Sequence, residues 1–416
     1  MCIRDSEDTM RAADHIIDLG PGAGIHGGEI MAQGTWADIT RNKASLTGQL
    51  LGEPMKHPLR GKRRQLPPKN RWIRVSGARA NNLRKINVAV PHGCLTVLSG
   101  VSGAGKSTTL RRILLPAVQD LLQKRKSKIE RPYGAVSGAD AFSKVVEVDQ
   151  SPIGKTSRST VCTYLGIMDH LRKLFAQLPL ARMRGFTAGH FSYNSGPGRC
   201  PACQGQGFIK VEMNFLPAAD VPCDTCRGRR WTDAVLEVAY KHKSIFDTLN
   251  LSIDEAVEFF EGHPNIRTPL QLLQETGLGY LKLGQTSPTL SGGEAQRLKL
   301  VAELSESVLI DQRTRLSARA ASRRPSLYLL EEPTVGLHLA DVRRLLEVLH
   351  RLVDAGHTVV VIEHQLDVLA EADHVIDLGP EGGGKGGTIV AQGTPEEIVR
   401  TKASHTGKYL SPLLKL

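Results

Sequence analysis

"CLTVLSGVSGAGKSTTLRRILL", Cys94 to Leu115, decides the fold class. An apolar, strand-like run passes into a glycine-rich turn and then into a leucine- and arginine-containing segment able to start a helix. The turn satisfies G-x-x-x-x-G-K-[ST] from Gly100 to Ser107. Glycines there let backbone N–H groups wrap phosphate oxygens at a helix N-terminus, where the helix dipole also favours an anion. Gly100, Gly103 and Gly105 are therefore expected to form a phosphate cradle opening onto Thr108. Lys106 would reach the outer phosphates and Ser107 would bind Mg²⁺. An ordinary glycine-rich turn needs neither the buried strand before it nor the helix after it.

Two further stretches extend this reading. "LYLLEEPTVGLH" (327–338) is a short apolar strand with acidic residues emerging at its end. Glu331 would lie on the Mg²⁺ side, and Glu332 would act as general base toward water. "LSGGEAQR" (290–297) places Ser291, Gly292 and Gly293 at the opening of a helix, with free N–H groups turned to an anion. Taken alone, that string could be a mere helix cap. Around these motifs run "WIRVSGA", "INVAVP", a helix over 339–354 and "HTVVVIEH". Strands alternating with helices predict an α/β domain with a largely parallel sheet.

The seven cysteines divide unevenly. Cys200, Cys203, Cys223 and Cys226 form two Cys-x-x-Cys knuckles, and Cys2, Cys94 and Cys162 are scattered. Paired knuckles at this spacing fit tetrahedral Zn²⁺ held by four thiolates, which leaves no open catalytic position. Two disulfides are the main alternative, and a redox site is another. Formal net charge is +12, from 54 Lys and Arg against 42 Asp and Glu, which favours polyanionic partners. The start lacks a secretory apolar core, and no apolar run approaches membrane-spanning length; the expected location is the cytoplasm.

An internal repeat organises the chain. "ADHIIDLGPGAGIHGGEIMAQGT" from Ala13 returns as "ADHVIDLGPEGGGKGGTIVAQGT" from Ala372, and 24 of 39 positions are identical between 13–51 and 372–410. The unit reads as strand, glycine-rich hairpin, strand and short capped helix. Residues 1–55 are therefore expected to be the tail of a preceding, truncated module, 56–72 a basic linker, and 73–416 a second, whole module. An insertion is expected over 116–285, with a zinc hairpin at 198–230.

With these motifs in place the sequence resembles the ABC ATPase family. That resemblance assigns Gln150 in "VDQSPIG" to the loop sensing metal and attacking water, and His364 in "VIEH" to the switch histidine at the γ-phosphate. In this family two modules sandwich ATP, one giving the phosphate loop and the other the "LSGGE" helix. "FSYNSGPGRCPACQGQG", "VEMNFLPAADVPCDTCRGRR" and "LSGGEAQRLKL", together with the phosphate loop, narrow the resemblance to the UvrA family of the bacterial excinuclease ABC, over 73–416. It implies a DNA-repair ATPase using ATP, Mg²⁺ and Zn²⁺. Such an ATPase forms a homodimer, binds damaged double-stranded DNA and loads UvrB, the helicase-like component of the excinuclease. Arg199, Lys210, Arg227, Arg229 and Arg230 are the candidate phosphate contacts around the knuckles. Glu331 departs from the family pattern, which has Asp there. The Arg-rich stretch 305–326 resembles insertions of divergent members, and Trp72 is a candidate for stacking on adenine. Two other readings compete: an ABC-type efflux or drug-resistance ATPase on the same scaffold, and a non-catalytic zinc module like that of Hsp40-type chaperones.

Overall fold

The structure is a computed structural model. It describes residues 9–22, 27–53, 55–59, 61–123, 131–154, 156–213, 216–314 and 324–414. Of the Arg-rich stretch 305–326, residues 305–314 continue the helix Gly292–Thr314, and 315–323 lie outside the described residues. The chain divides into two compact units, Met1–Gln150 with Ser317–Leu416, and Ser151–Leu316.

The first unit opens with an antiparallel hairpin, β1 (Ile16–Gly20) and β2 (Glu29–Gly34), followed by helices Trp36–Arg41 and Leu46–Gly52. A three-stranded antiparallel sheet takes the order β4-β3-β6, from β3 (Trp72–Ala78), β4 (Ile86–Pro91) and β6 (Val136–Ser137). The main sheet contains β5 (Leu95–Gly100), β7 (Lys144–Val148), β10 (Ser326–Glu331), β11 (Thr358–Ile362), β12 (His374–Gly379) and β13 (Thr388–Gly393). Its order is β13-β12-β5-β11-β10-β7. Every neighbouring pair is parallel except β12 with β13. All residues of β5, β11 and β12 are buried, as a parallel sheet covered on both faces requires. Leu98, Leu110, Ile113, Leu329 and Val360 pack one side, and Val97, Leu346, Val368, Val375 and Ile398 the other.

Helix Leu339–Asp354 covers the second side because Val342, Leu345, Leu346, Leu349 and Val353 recur on one stripe. His338 caps it: its Nδ1 accepts the Ala340 N–H at 3.3 Å. After the phosphate loop, Thr108–Leu114 is a π-helical segment that continues as α-helix through Leu115–Leu122. Sequence periodicity gives no sign of the wider turn; such segments concentrate at functional sites.

The repeat is also a repeat of contacts. Asp377 accepts from Ser404 at 2.6 Å and Thr406 at 2.8 Å, while Asp18 accepts from Ser45 at 2.6 Å and Thr47 at 2.7 Å. Both hairpins shift register after that aspartate. Burial differs between the copies. Ile17 and Leu19 are 57% and 66% exposed, whereas their counterparts Ile376 and Leu378 are core residues of the main sheet.

The segment read as a basic linker is irregular in structure but firmly held. His57 donates from Nε2 to Asp367 at 2.9 Å and from Nδ1 to Glu371 at 2.5 Å. Arg64 pairs with Asp354 at 2.8 Å and Asp373 at 3.1 Å, and Arg63 with Glu396 at 2.8 Å. A lack of apolar periodicity conceals this because the anchoring is ionic. Burial pulls the His57 imidazole down, but the bonds to Asp367 and Glu371 outweigh it and hold it at about 9. Burial pushes the Glu371 carboxyl up, but bonds from His350, His57 and the Leu59 N–H hold it at about 2.

The second unit is helical, with one hairpin among its described residues, β8 (Phe208–Met213) and β9 (Leu216–Pro222). Helix Ile167–Ala176 buries Ile167, Met168, Leu171 and Phe175, one stripe facing a core that includes Phe191 and Trp231. The unit runs over 151–316, against the insertion expected at 116–285. At the front, β6 and β7 join the sheets of the first unit; at the back, the second unit keeps the long helix Gly292–Thr314.

Candidate nucleotide site and metal centre

β5 delivers the phosphate loop at its C-terminal end. At Gly100 the φ of 128° and the Leu378 carbonyl, which a Cβ would approach to 1.9 Å, leave room for glycine alone. The loop is braced from outside. The Gly103 carbonyl accepts from Asn82 Nδ2 at 2.9 Å and from the Gly383 N–H at 3.1 Å. The Gly387 N–H donates to the Ala104 carbonyl at 3.2 Å. The glycine-rich β12–β13 turn is thus a support for the cradle. Asn82, in "RANNL", carries no sequence signal, since an isolated Asn is also common in turns.

Lys106 is 7% exposed and donates to the carbonyls of Gly100 and Val101, each at 2.9 Å. Ser107 Oγ donates to Glu331 Oε1 at 2.5 Å, so the two expected Mg²⁺ groups already meet across β5 and β10. Arg111 binds Glu331 at 2.8 Å and Glu147 at 3.1 Å, holding the Glu331 carboxylate beside Ser107. No motif marks Arg111 in the sequence.

Glu332 follows at the end of β10 with φ 45°, an uncommon conformation for a residue with a Cβ. Its N–H donates to the Ile362 carbonyl at 2.9 Å, and its carboxylate lies 3.7 Å from His364 Nε2. Burial, and then the Lys106 charge, hold the His364 imidazole at about 4. It is neutral near pH 7, so its approach to Glu332 is not an ion pair. Gln150 is exposed, two residues past β7, the strand beside β10. Trp72 is engaged elsewhere: Nε1 donates to the Pro67 carbonyl at 2.9 Å, and the ring meets His374 edge-on at 5.2 Å.

In the second unit, Ser291 precedes helix Gly292–Thr314 and forms a capping box. Its N–H donates to Glu294 Oε2 at 2.7 Å, and its Oγ accepts the Glu294 N–H at 3.3 Å. The plain cap is real; Ser291 is nonetheless exposed, and Gly292 and Gly293 form the first turn.

The four cysteines of the knuckles converge. Their sulfurs lie within 4.8 Å of one another, with Cys203 and Cys226 at 3.6 Å and Cys200 and Cys223 at 4.0 Å. Four thiolates on a tetrahedral Zn²⁺ at about 2.3 Å would stand about 3.8 Å apart, so the set fits that ion. A disulfide would require about 2.0 Å. The Gly207 N–H donates to Cys203 Sγ at 3.2 Å. At Gly205 a Cβ would meet the Tyr193 carbonyl at 1.9 Å, which accounts for the glycine in the knuckle. Of the basic residues named around it, Arg229 pairs with Asp233 at 2.9 Å and Arg230 stacks over Tyr193 at 4.9 Å. The Arg199 guanidinium donates to the Asn194 carbonyl at 3.1 Å, and Lys210 and Arg227 are exposed.

Comparison with known proteins finds strong similarity along almost the entire chain. The chain is 48% identical over 413 residues to UvrABC system protein A of Haemophilus influenzae, covering 99% of this chain and 42% of the relative. Over nearly its whole length it is similar to UvrABC system protein A. The protein of that name from Thermus thermophilus is 50% identical over 409 residues, 98% of this chain and 41% of the relative. The crystal structure of UvrA2 from Deinococcus radiodurans superposes with a TM-score of 0.84 at 41% identity, covering 97% of this chain and 47% of that one. The chain thus spans about two-fifths of the length of the curated relatives it matches. No family model matches. Among the described residues, no helix is long and apolar enough to cross a membrane.

Proposed function

We propose that this chain is the ATP-hydrolysing, DNA-engaging part of a damage-recognition component of nucleotide excision repair, acting in the cytoplasm. The observation that carries the reading is the meeting of four groups at the ends of β5, β10 and β11. Ser107 and Glu331 are hydrogen-bonded, and Glu332 stands 3.7 Å from His364.

In this reading Lys106 engages the outer phosphates while the loop N–H groups hold their oxygens. Ser107 and Glu331 would hold Mg²⁺, which would supply charge neutralisation at the phosphates. Glu332 takes the proton of the attacking water, neutral His364 donates from Nε2 to the γ-phosphate, and Gln150 orients the water. Ser291, Gly292 and Gly293 of a second copy would close the site from the opposite side, making the working form a homodimer. Cys200, Cys203, Cys223 and Cys226 would hold structural Zn²⁺, which would supply rigidity without a core. Lys210 and Arg227 would meet the phosphates of damaged duplex DNA, and nucleotide turnover would be coupled to loading the helicase-like UvrB.

Lys106→Ala tests the nucleotide reading. It removes the only cation of the loop motif, and ATP affinity should fall at least about tenfold in equilibrium binding, as loss of a charge-assisted phosphate contact implies. Unchanged affinity would remove Lys106 from the site.

A further inference from the structure

Glu363 sits between the last strand residue of β11 and His364, and none of the roles above uses it. The carboxylate is 1% exposed. Each of its oxygens faces a different loop. Oε1 accepts from the Thr334 N–H at 2.9 Å and from Thr334 Oγ1 at 2.7 Å. Oε2 accepts from the N–H of His364 at 2.9 Å and of Gln365 at 3.3 Å. Thr334 lies two residues beyond Glu332, and His364 is adjacent to Glu363 itself.

We infer that Glu363 is a positioning residue, a buried bracket that fixes the loop of the general base to the loop of the switch histidine. The inference rests on the nucleotide-site reading above and deepens it. Two loops leaving neighbouring parallel strands have no ladder to hold them in register once the strands end. The β10–β11 pairing stops at Glu331 with Ile362, and the bonds to Glu363 begin where it stops. Burial pushes this carboxyl up, while donors from Thr334, Gln365 and His364 pull the other way. Glu363 is the acceptor in each of these hydrogen bonds. An amide in its place would turn an NH₂ group toward one pair of donors, so Glu363→Gln must break one arm of the bracket with almost no change of shape. A catalytic distance held by that arm then loosens, and misplacement on the scale of about 1 Å can cost about 100-fold in rate.

The test is Glu363→Gln beside Thr334→Val in the full chain, with ATP turnover, ATP binding and amide hydrogen exchange measured on each. Expected for Glu363→Gln is a fall in kcat of at least about tenfold with KM within about threefold. Faster exchange should appear at Thr334 or at His364 and Gln365. Thr334→Val keeps one N–H bond to Oε1 and should show a smaller fall. A folded Glu363→Gln protein with wild-type kcat overturns the inference. So does a parallel loss of binding, melting temperature and rate, which would make Glu363 a structural residue only. Exchange is read without turnover, so unchanged protection at all three amides overturns the bracket even if the site hydrolyses nothing. Wild-type hydrolysis by Glu332→Gln would instead sink the site reading and leave the exchange result to judge the bracket.

Discussion

Replacing Glu332 by Gln separates binding from chemistry. The side chain is 42% exposed and approaches His364 at 3.7 Å. Because His364 is held at about 4, that approach is not an ion pair at neutral pH, and the amide sacrifices no charge–charge contact. Stability should change by no more than about 0.5 kcal/mol, the usual range for a partly exposed position. The cradle at Gly100–Ser107 and the Ser107–Glu331 bond are left in place, so ATP affinity should stay within about threefold. Hydrolysis loses its base, and general-base catalysis is worth roughly 10²–10⁴-fold. At about 1.36 kcal/mol per tenfold, the barrier rises by about 2.7–5.4 kcal/mol. Phosphate release under saturating ATP, alongside equilibrium binding of a non-hydrolysable analogue, measures both halves. Equal hydrolysis by the two proteins, or binding lost together with hydrolysis, would refute the reasoning.

Elemental analysis of protein purified without chelator should find about one zinc per chain, and a Cys203→Ser/Cys226→Ser protein should lose it, since those sulfurs form one edge of the thiol cluster. The His57 clamp should show in stability. Glu371→Gln removes one of the two carboxylates on His57, leaves Asp367 in place, and should cost about 1–3 kcal/mol in denaturant unfolding near pH 6. His57 rises from 6.5 to about 9 on folding, so its contribution is complete below 6.5 and is lost as pH climbs through 9. Glu371 falls from 4.5 to about 2, so its contribution is complete above 4.5 and is lost as pH drops through 2. The gap between wild type and variant should therefore be widest between about pH 4.5 and 6.5 and should narrow by about pH 10. A gap independent of pH would exclude the ionic clamp.

The parts legible in the sequence are those with strong local periodicity or a fixed motif. Helix 339–354 falls where its apolar stripe places it, and β5, β10 and β11 coincide with their apolar runs. Spacing alone brings Cys200, Cys203, Cys223 and Cys226 to one cluster. Contacts between distant segments are not legible. Arg111 reaches Glu331 from a remote part of the chain, and Asn82 braces a loop it shares no motif with. The 56–64 segment looks like a linker because a charged strap anchored by carboxylates has no apolar pattern to betray it. β7 is equally hard to see, since only Val148 of its five residues is fully buried at that sheet edge. Glu363 stands in plain view within "VIEH", but its role depends on the distant Thr334.

Affinity for duplex DNA with and without a single bulky lesion, measured with ATP present for wild type and for Cys223→Ser/Cys226→Ser, tests the central claim most directly. Wild type should bind the lesion-bearing duplex at least several-fold more tightly, with steep salt dependence for both duplexes. The cysteine variant, if folded, should keep its binding to plain duplex and lose the preference. Equal wild-type affinity for the two duplexes, or a preference untouched by loss of the cysteines, would contradict the account.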